Sequence, residues 1–141
     1  MKSEPSDAER AERNLLRQPL HPEIDEALIE RLVVTFYDRI RADAVLAPIF
    51  AAEIADWGSH LSKMCDFWSS IMLKSGRYHG RPMPVHARLQ GVEPAHFARW
   101  LSLFRKTAAE VASPEVAAIF IDRAERIAES FKLGMFGRRP S

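Results

Sequence analysis

Five histidines are the side chains of this sequence best suited to holding a metal or moving a proton near neutral pH. His21 precedes Pro22 at a helix start, His79 lies in a glycine-rich stretch, and His96 opens a later helix. These three read as boundary or solvated residues. His60 and His86 differ. His60 falls on the most aromatic helical face of the sequence, one turn before Met64. His86 lies in a stretch without clear periodicity, on its one short helical turn, with Val85 and Leu89 around it. Taken alone, each suits a hydrogen-bonded structural role better than a ligand's. The other familiar chemistries lack their residues. No Cys or His pair has zinc-site spacing, no His-Glu-x-x-His occurs, and no glycine-rich phosphate loop follows a strand. Ser69 and Ser70 lack a nucleophile elbow, and no pair of carboxylates shares an apolar face. What remains is a set of rings: Phe36, Tyr37, Phe50, Phe67, Trp68 and Trp100. Tyr37 and Trp100 each add one hydrogen-bond donor to that apolar set. Plain core packing accounts for the rings. A flat apolar cofactor held by one histidine would use the rings, the donors and the histidine together.

The elements that must position these residues are helical. From Pro22, Ile24, Leu28, Leu32, Phe36 and Ile40 recur at every fourth position, with Ile29, Val33 and Tyr37 beside them. Pro48 stops that run, and Leu46-Ala47-Pro48-Ile49-Phe50 reads as an apolar corner between helices. Asp56 is a candidate N-cap for a helix running to Lys74, with Trp57, His60, Met64, Phe67, Trp68 and Ile71 on one face. Periodicity then fails from Ser75 to Glu93, where Gly76, Gly80, Gly91, Pro82 and Pro84 fall. An irregular stretch of that length in a compact domain usually marks a binding site. A third strong helix follows Pro94, with Phe97, Trp100, Leu101, Phe104, Ala108 and Val111 on one face. Ser113-Pro114-Glu115 gives a stop and a new start. The last helix carries Val116, Phe120, Ala124, Ile127 and Phe131 and ends at Gly134 and Gly137. The class is all-α with four main helices. The expected organisation is a polar arm over residues 1–20, a helical domain over 21–134 and a tail over 135–141.

The composition narrows the partners. With 20 basic and 19 acidic side chains the chain carries no large field of one sign, so nucleic acid and anionic membrane are poor partners. Cys65 is the sole cysteine, which leaves no internal disulfide or cysteine cluster and suits a reducing compartment. The polar start from Met1 to Asn14 lacks a signal-peptide core, and no apolar run approaches the roughly 20 residues of a membrane span. A cytoplasmic location is expected.

Five pieces, in order, carry a family resemblance over about residues 22–133. They are Phe36-Tyr37-Asp38-Arg39-Ile40-Arg41-Ala42-Asp43, Leu46-Ala47-Pro48-Ile49-Phe50, and Asp56-Trp57-Gly58-Ser59-His60-Leu61 running into Phe67-Trp68-Ser69-Ser70. Gly76-Arg77-Tyr78-His79-Gly80-Arg81-Pro82-Met83 through His86 follows, and His96-Phe97-Ala98-Arg99-Trp100-Leu101-Ser102-Leu103-Phe104 completes the set. In these pieces the chain resembles the truncated haemoglobins, and among them the third group. The resemblance implies a globin-like two-over-two helical sandwich around haem b, iron protoporphyrin IX. It implies His86 as the proximal iron ligand, Tyr37 and Trp100 as distal donors, and His60 at the distal gate. Phe36, Met64, Phe67 and Trp68 would line the distal side, Phe50 would pack at the haem edge, and Arg77, Tyr78 and Arg88 would face the propionates. The implied partner is dioxygen or another diatomic gas, with an external reductase, since no flavin or nicotinamide motif is present. Two other functions are compatible with the sequence. One is a haem-dependent redox enzyme, of nitric oxide dioxygenase or peroxidase type. The other is a haem-free helical module that binds a partner protein.

Overall fold

Helix α1 (Glu26–Ala42) begins where the Asp25 carboxylate accepts the backbone N–H of Leu28 at 2.8 Å. A computed structural model describes residues 20–79 and 92–136 of the chain. Among them are five helices and no strand. The fourfold apolar repeat of α1 becomes its buried face, with Ile29, Leu32, Val33, Phe36, Tyr37 and Ile40 inside. Arg39 and Arg41 occupy the last turn, where cations face the carbonyl end of the helix dipole.

The expected corner around Pro48 is instead a helix, α2 (Leu46–Glu53). Pro48 is its third residue, inside the first turn, where a backbone N–H has no helical partner and its loss costs nothing. Asp43 holds the junction. Its Oδ1 accepts from Val45 N and Leu46 N at 3.0 and 2.9 Å, and its carboxylate takes the Arg99 Nε at 2.8 and 2.9 Å.

Helix α3 (Trp57–Met72) starts at Asp56, whose Oδ1 accepts from Ser59 N at 3.3 Å, as its sequence predicts. It ends in a left-handed turn at Lys74 (φ 58°), followed by Gly76 (φ 70°), a conformation that favours glycine. The emerging chain is tied back by polar contacts. Ser69, fully buried, lies 2.6 Å from Glu26 and 2.7 Å from Ser75, and the Ser70 hydroxyl accepts from Tyr78 N at 2.9 Å.

Helix α4 (Pro94–Val111) and helix α5 (Pro114–Phe136) follow, the second opened by Ser113, whose hydroxyl accepts from Val116 N at 3.4 Å. α5 does not stop at Gly134. A glycine costs a helix about 1 kcal/mol, but the half-buried Met135 and the ring of Phe136 against Phe97, 6.3 Å between centroids, carry it two residues further. At the other end, Leu20 belongs to the domain and not the arm. Its N–H donates to Met72 O at 3.2 Å and its side chain packs on the core.

α1 packs on α3 and α4 packs on α5, and α1 joins the two pairs by crossing onto α4. The core between them is ringed by Phe36, Trp68, Phe104 and Phe120. No helix among the described residues is long and apolar enough to cross a membrane.

Candidate cofactor site

Each of the five helices turns one patch of side chains toward a common cavity. α1 contributes Tyr37, and α2 contributes Leu46, Ile49 and Phe50. α3 supplies Met64, Phe67 and Trp68 at offsets of three and four, so they stack on one helical face. α4 supplies His96, Phe97 and Trp100, and α5 supplies Ile127, Ala128 and Phe131. Val92 completes the described wall. The open space is about 830 Å³, solvent at its mouth included.

The rings are locked by edge and stacked contacts. Phe36 stands behind the wall, its ring edge-on to Tyr37, Trp100 and Phe104 at centroid distances of 5.3, 5.4 and 5.1 Å. Phe104 lies nearly parallel to both Trp68 and Trp100, at 5.4 and 5.6 Å. Tyr37 is held on three further sides, by Phe50 and Trp57 at 6.1 Å each and by His60 at 5.0 Å. Contacts of this kind fix ring orientation as well as burying area. Tyr37 is only 7 % exposed, and burial pushes its phenol far above the ordinary range, so the hydroxyl stays protonated.

His60 stands beside the cavity. Its ring is edge-on to Tyr37 and to Trp57, the latter at 5.7 Å, and the Arg41 guanidinium lies 4.5 Å above the Trp57 ring. Arg77 turns to α1, its Nη1 3.5 Å from Glu26 Oε1. Tyr78 sets its ring against Phe67 at 5.2 Å, backing the wall. His86 and Arg88 lie outside the described residues. The sequence places Tyr37, Phe50, Met64, Phe67, Trp68 and Trp100 at the site, and the cavity brings these six together.

Sequence reasoning missed Leu46 and Ile49 of α2, the contribution of α5 and that of the start of α4. The apolar periodicity that carries Phe97, Ile127 and Phe131 marks them as inward-facing without separating cavity wall from core. His96, expected to be exposed, is half-buried and lines the cavity, because its ring folds back to accept a hydrogen bond at the start of α4. Nothing in its spacing signals that.

The wall suits a flat apolar group with a few polar demands. No Asp, Glu, Lys or Arg is among its described residues, and four side chains with a polar atom, Tyr37, Trp68, His96 and Trp100, interrupt it. No group of three or more His, Cys, Asp or Glu side chains among the described residues could hold a bare metal ion. The apolar wall with its few polar tips fits a haem.

Residues 24–132 match the bacterial-like globin family. The chain is 32 % identical over 113 residues to the group 3 truncated hemoglobin ctb of Campylobacter jejuni, spanning 77 % of this chain and 89 % of that protein. It superposes on the crystal structure of the group III truncated hemoglobin from Campylobacter jejuni with a TM-score of 0.78 at 30 % identity. That match covers 84 % of this chain and 98 % of the other.

Proposed function

Because the chain belongs to the bacterial-like globins, as a group III truncated haemoglobin, we propose that its cavity holds one haem b through His86 and binds dioxygen or another diatomic ligand under Tyr37 and Trp100. The observation that carries this reading is where the two ends of the stretch containing His86 sit. Val92, just after residues 80–91, lines the cavity, and Tyr78, just before them, packs on the lining residue Phe67. The other histidines suit ligation less well. His21 has its Nε2 3.1 Å from Glu115 and its Nδ1 accepting from Glu23 N, His79 is exposed, and the Nδ1 of His96 is occupied by Glu93 N. His60 lies on the Tyr37 side, where it borders the ligand's position.

When bound, haem would supply an iron that can take up a diatomic ligand and the electron density that such a ligand draws upon. The protein's part is electrostatic and steric. Tyr37, kept neutral by burial, offers an O–H, and Trp100 offers an indole N–H that can only donate. Both favour a ligand that has gained negative charge over one that has not. His60, edge-on to the Tyr37 ring, helps hold that ring in register. The apolar rings of Phe50, Phe67 and Phe97 keep water from the site. Electrons for the iron come from a separate reductant in this reading.

The absorption spectrum of the purified protein, with and without added haem, tests it. A one-to-one haem spectrum is expected. His86→Ala should lose stable uptake or recover it on addition of imidazole. An unchanged spectrum in that variant would refute the ligand, and a wild type that takes up no haem would refute the function.

A further inference from the structure

Among the described residues of the cavity, His96 is a polar side chain to which the resemblance gives no role. It is the third residue of α4, and its Nδ1 lies 2.9 Å from the backbone nitrogen of Glu93, the residue before the helix. A backbone N–H can only donate, so Nδ1 is the acceptor and the neutral ring carries its proton on Nε2. Such a ring has no lone pair at Nε2 for iron. It has one N–H to give, on a side chain that lines the cavity.

Haem is apolar apart from two carboxylates. These do not sink among Phe67, Trp68 and Phe131, because burying an unpaired carboxylate is costly. They take the mouth, where water and donors are available. Of the polar side chains lining the cavity, Tyr37 and Trp68 are buried, and the half-buried Trp100 is stacked on Phe104. His96 stands on the solvent-facing first turn of α4, beside the exposed Glu93, Pro94 and Ala95. Arg77, the cation expected at the rim, is 3.5 Å from Glu26.

We propose that His96 is a cofactor-binding residue: fixed as its Nε2–H tautomer by the start of α4, it donates a hydrogen bond to a carboxylate of the bound haem. This rests on the haem reading above. The site is a donor for a carboxylate edge and not a second iron ligand.

The test compares the full-length wild type with His96→Leu and His96→Gln. Each is loaded with haem or with haem dimethyl ester, in which both carboxylates are capped. The measured quantity is the rate of cofactor transfer to an excess of a scavenging apoglobin. His96→Leu should release haem about 10-fold faster, the loss of one hydrogen bond to a charged acceptor. His96→Gln, which keeps an N–H donor at similar reach, should return most of the difference. The dimethyl ester should leave all three proteins at closely similar rates. Equal release of haem from wild type and His96→Leu would overturn the proposal. So would equal acceleration of both cofactors, which would mark His96 as packing only. A wild type that holds neither cofactor would bring down the haem reading, and this proposal with it.

Discussion

Replacing Tyr37 by phenylalanine removes one hydroxyl and leaves the ring where it is. The ring is gripped by Phe36, Phe50, Trp57 and His60 at centroid distances of 5.0–6.1 Å, and none of those contacts depends on the oxygen. The variant therefore isolates the donor. A hydrogen bond to a partly charged acceptor in a dry site is worth roughly 1–3 kcal/mol. At about 1.4 kcal/mol per factor of ten, its loss should speed dioxygen release by roughly 10-fold or more. Carbon monoxide draws less charge and should respond less. Because burial holds the phenol protonated, the Tyr37 contribution should also be flat in pH across the neutral range. Trp100 is the second donor, and it can take up part of the load when Tyr37 is lost. Trp100→Phe alone, and then the double variant, separate the two. Trp100 is stacked on Phe104, so its loss also opens space, and the carbon monoxide rate reports that steric share. The assay is stopped-flow displacement of each gas from the reduced protein. If the double variant releases both gases at wild-type rates, the residues are packing and the distal hydrogen-bond reasoning is wrong.

Two further predictions concern the scaffold. Hydrogen bonding from Arg99 holds the Asp43 carboxyl down at about 2, against an ordinary 3.8. A depressed acid stabilises the fold above its unfolded value and loses that contribution as pH falls through 3.8 toward 2. Asp43→Asn should thus be less stable than wild type at neutral pH, with the gap closing over that acid window. Asp43→Ala, which also strips the acceptor from Val45 and Leu46, should cost about 1 kcal/mol more, read from urea midpoints. A gap independent of pH would refute the ion pair. Cys65 is half-buried, and burial, reinforced by the carboxylates of Glu30, Asp66 and Glu26, pushes its thiol up. It should react with a thiol reagent at neutral pH more slowly than free cysteine, and Cys65→Ser should bind gas normally. Fast labelling of the native protein, or altered gas kinetics in the variant, would show a reactive thiol.

Long periodic helices were legible because burial of one face writes itself into spacing. Ile29, Leu32, Phe36 and Ile40 point inward for the same reason that they recur at threes and fours. Caps were legible where a short polar side chain precedes an apolar run, as at Asp56 and Ser113. Short elements were not. Over the eight residues of α2, periodicity has too few turns to register, and Pro48 argues for a break unless its place in the first turn is known. At the end of α5 a tertiary contact, Phe136 on Phe97, outweighs the local preference of Gly134, and the helix runs to the residue before Gly137.

The site divides along the same line. Its rings were readable as a set, because aromatic side chains on four helices have to meet in the core of a chain this small. What they enclose was not readable, since the same spacing serves a filled core and a walled cavity. Trp68 belongs to both, stacking on Phe104 with one face of its surroundings and lining the cavity with another. Only the rotation of each helix decides between these outcomes, and rotation is fixed by contacts remote in sequence. The Asp43–Arg99 pair joins positions 56 apart, and the Arg39–Glu110 pair joins positions 71 apart. Both pairs tie the end of α1 to α4, the helix that carries Trp100 and His96. The joint presence of Tyr37 and Trp100 in the cavity wall is therefore a property of the α1–α4 crossing as much as of either residue.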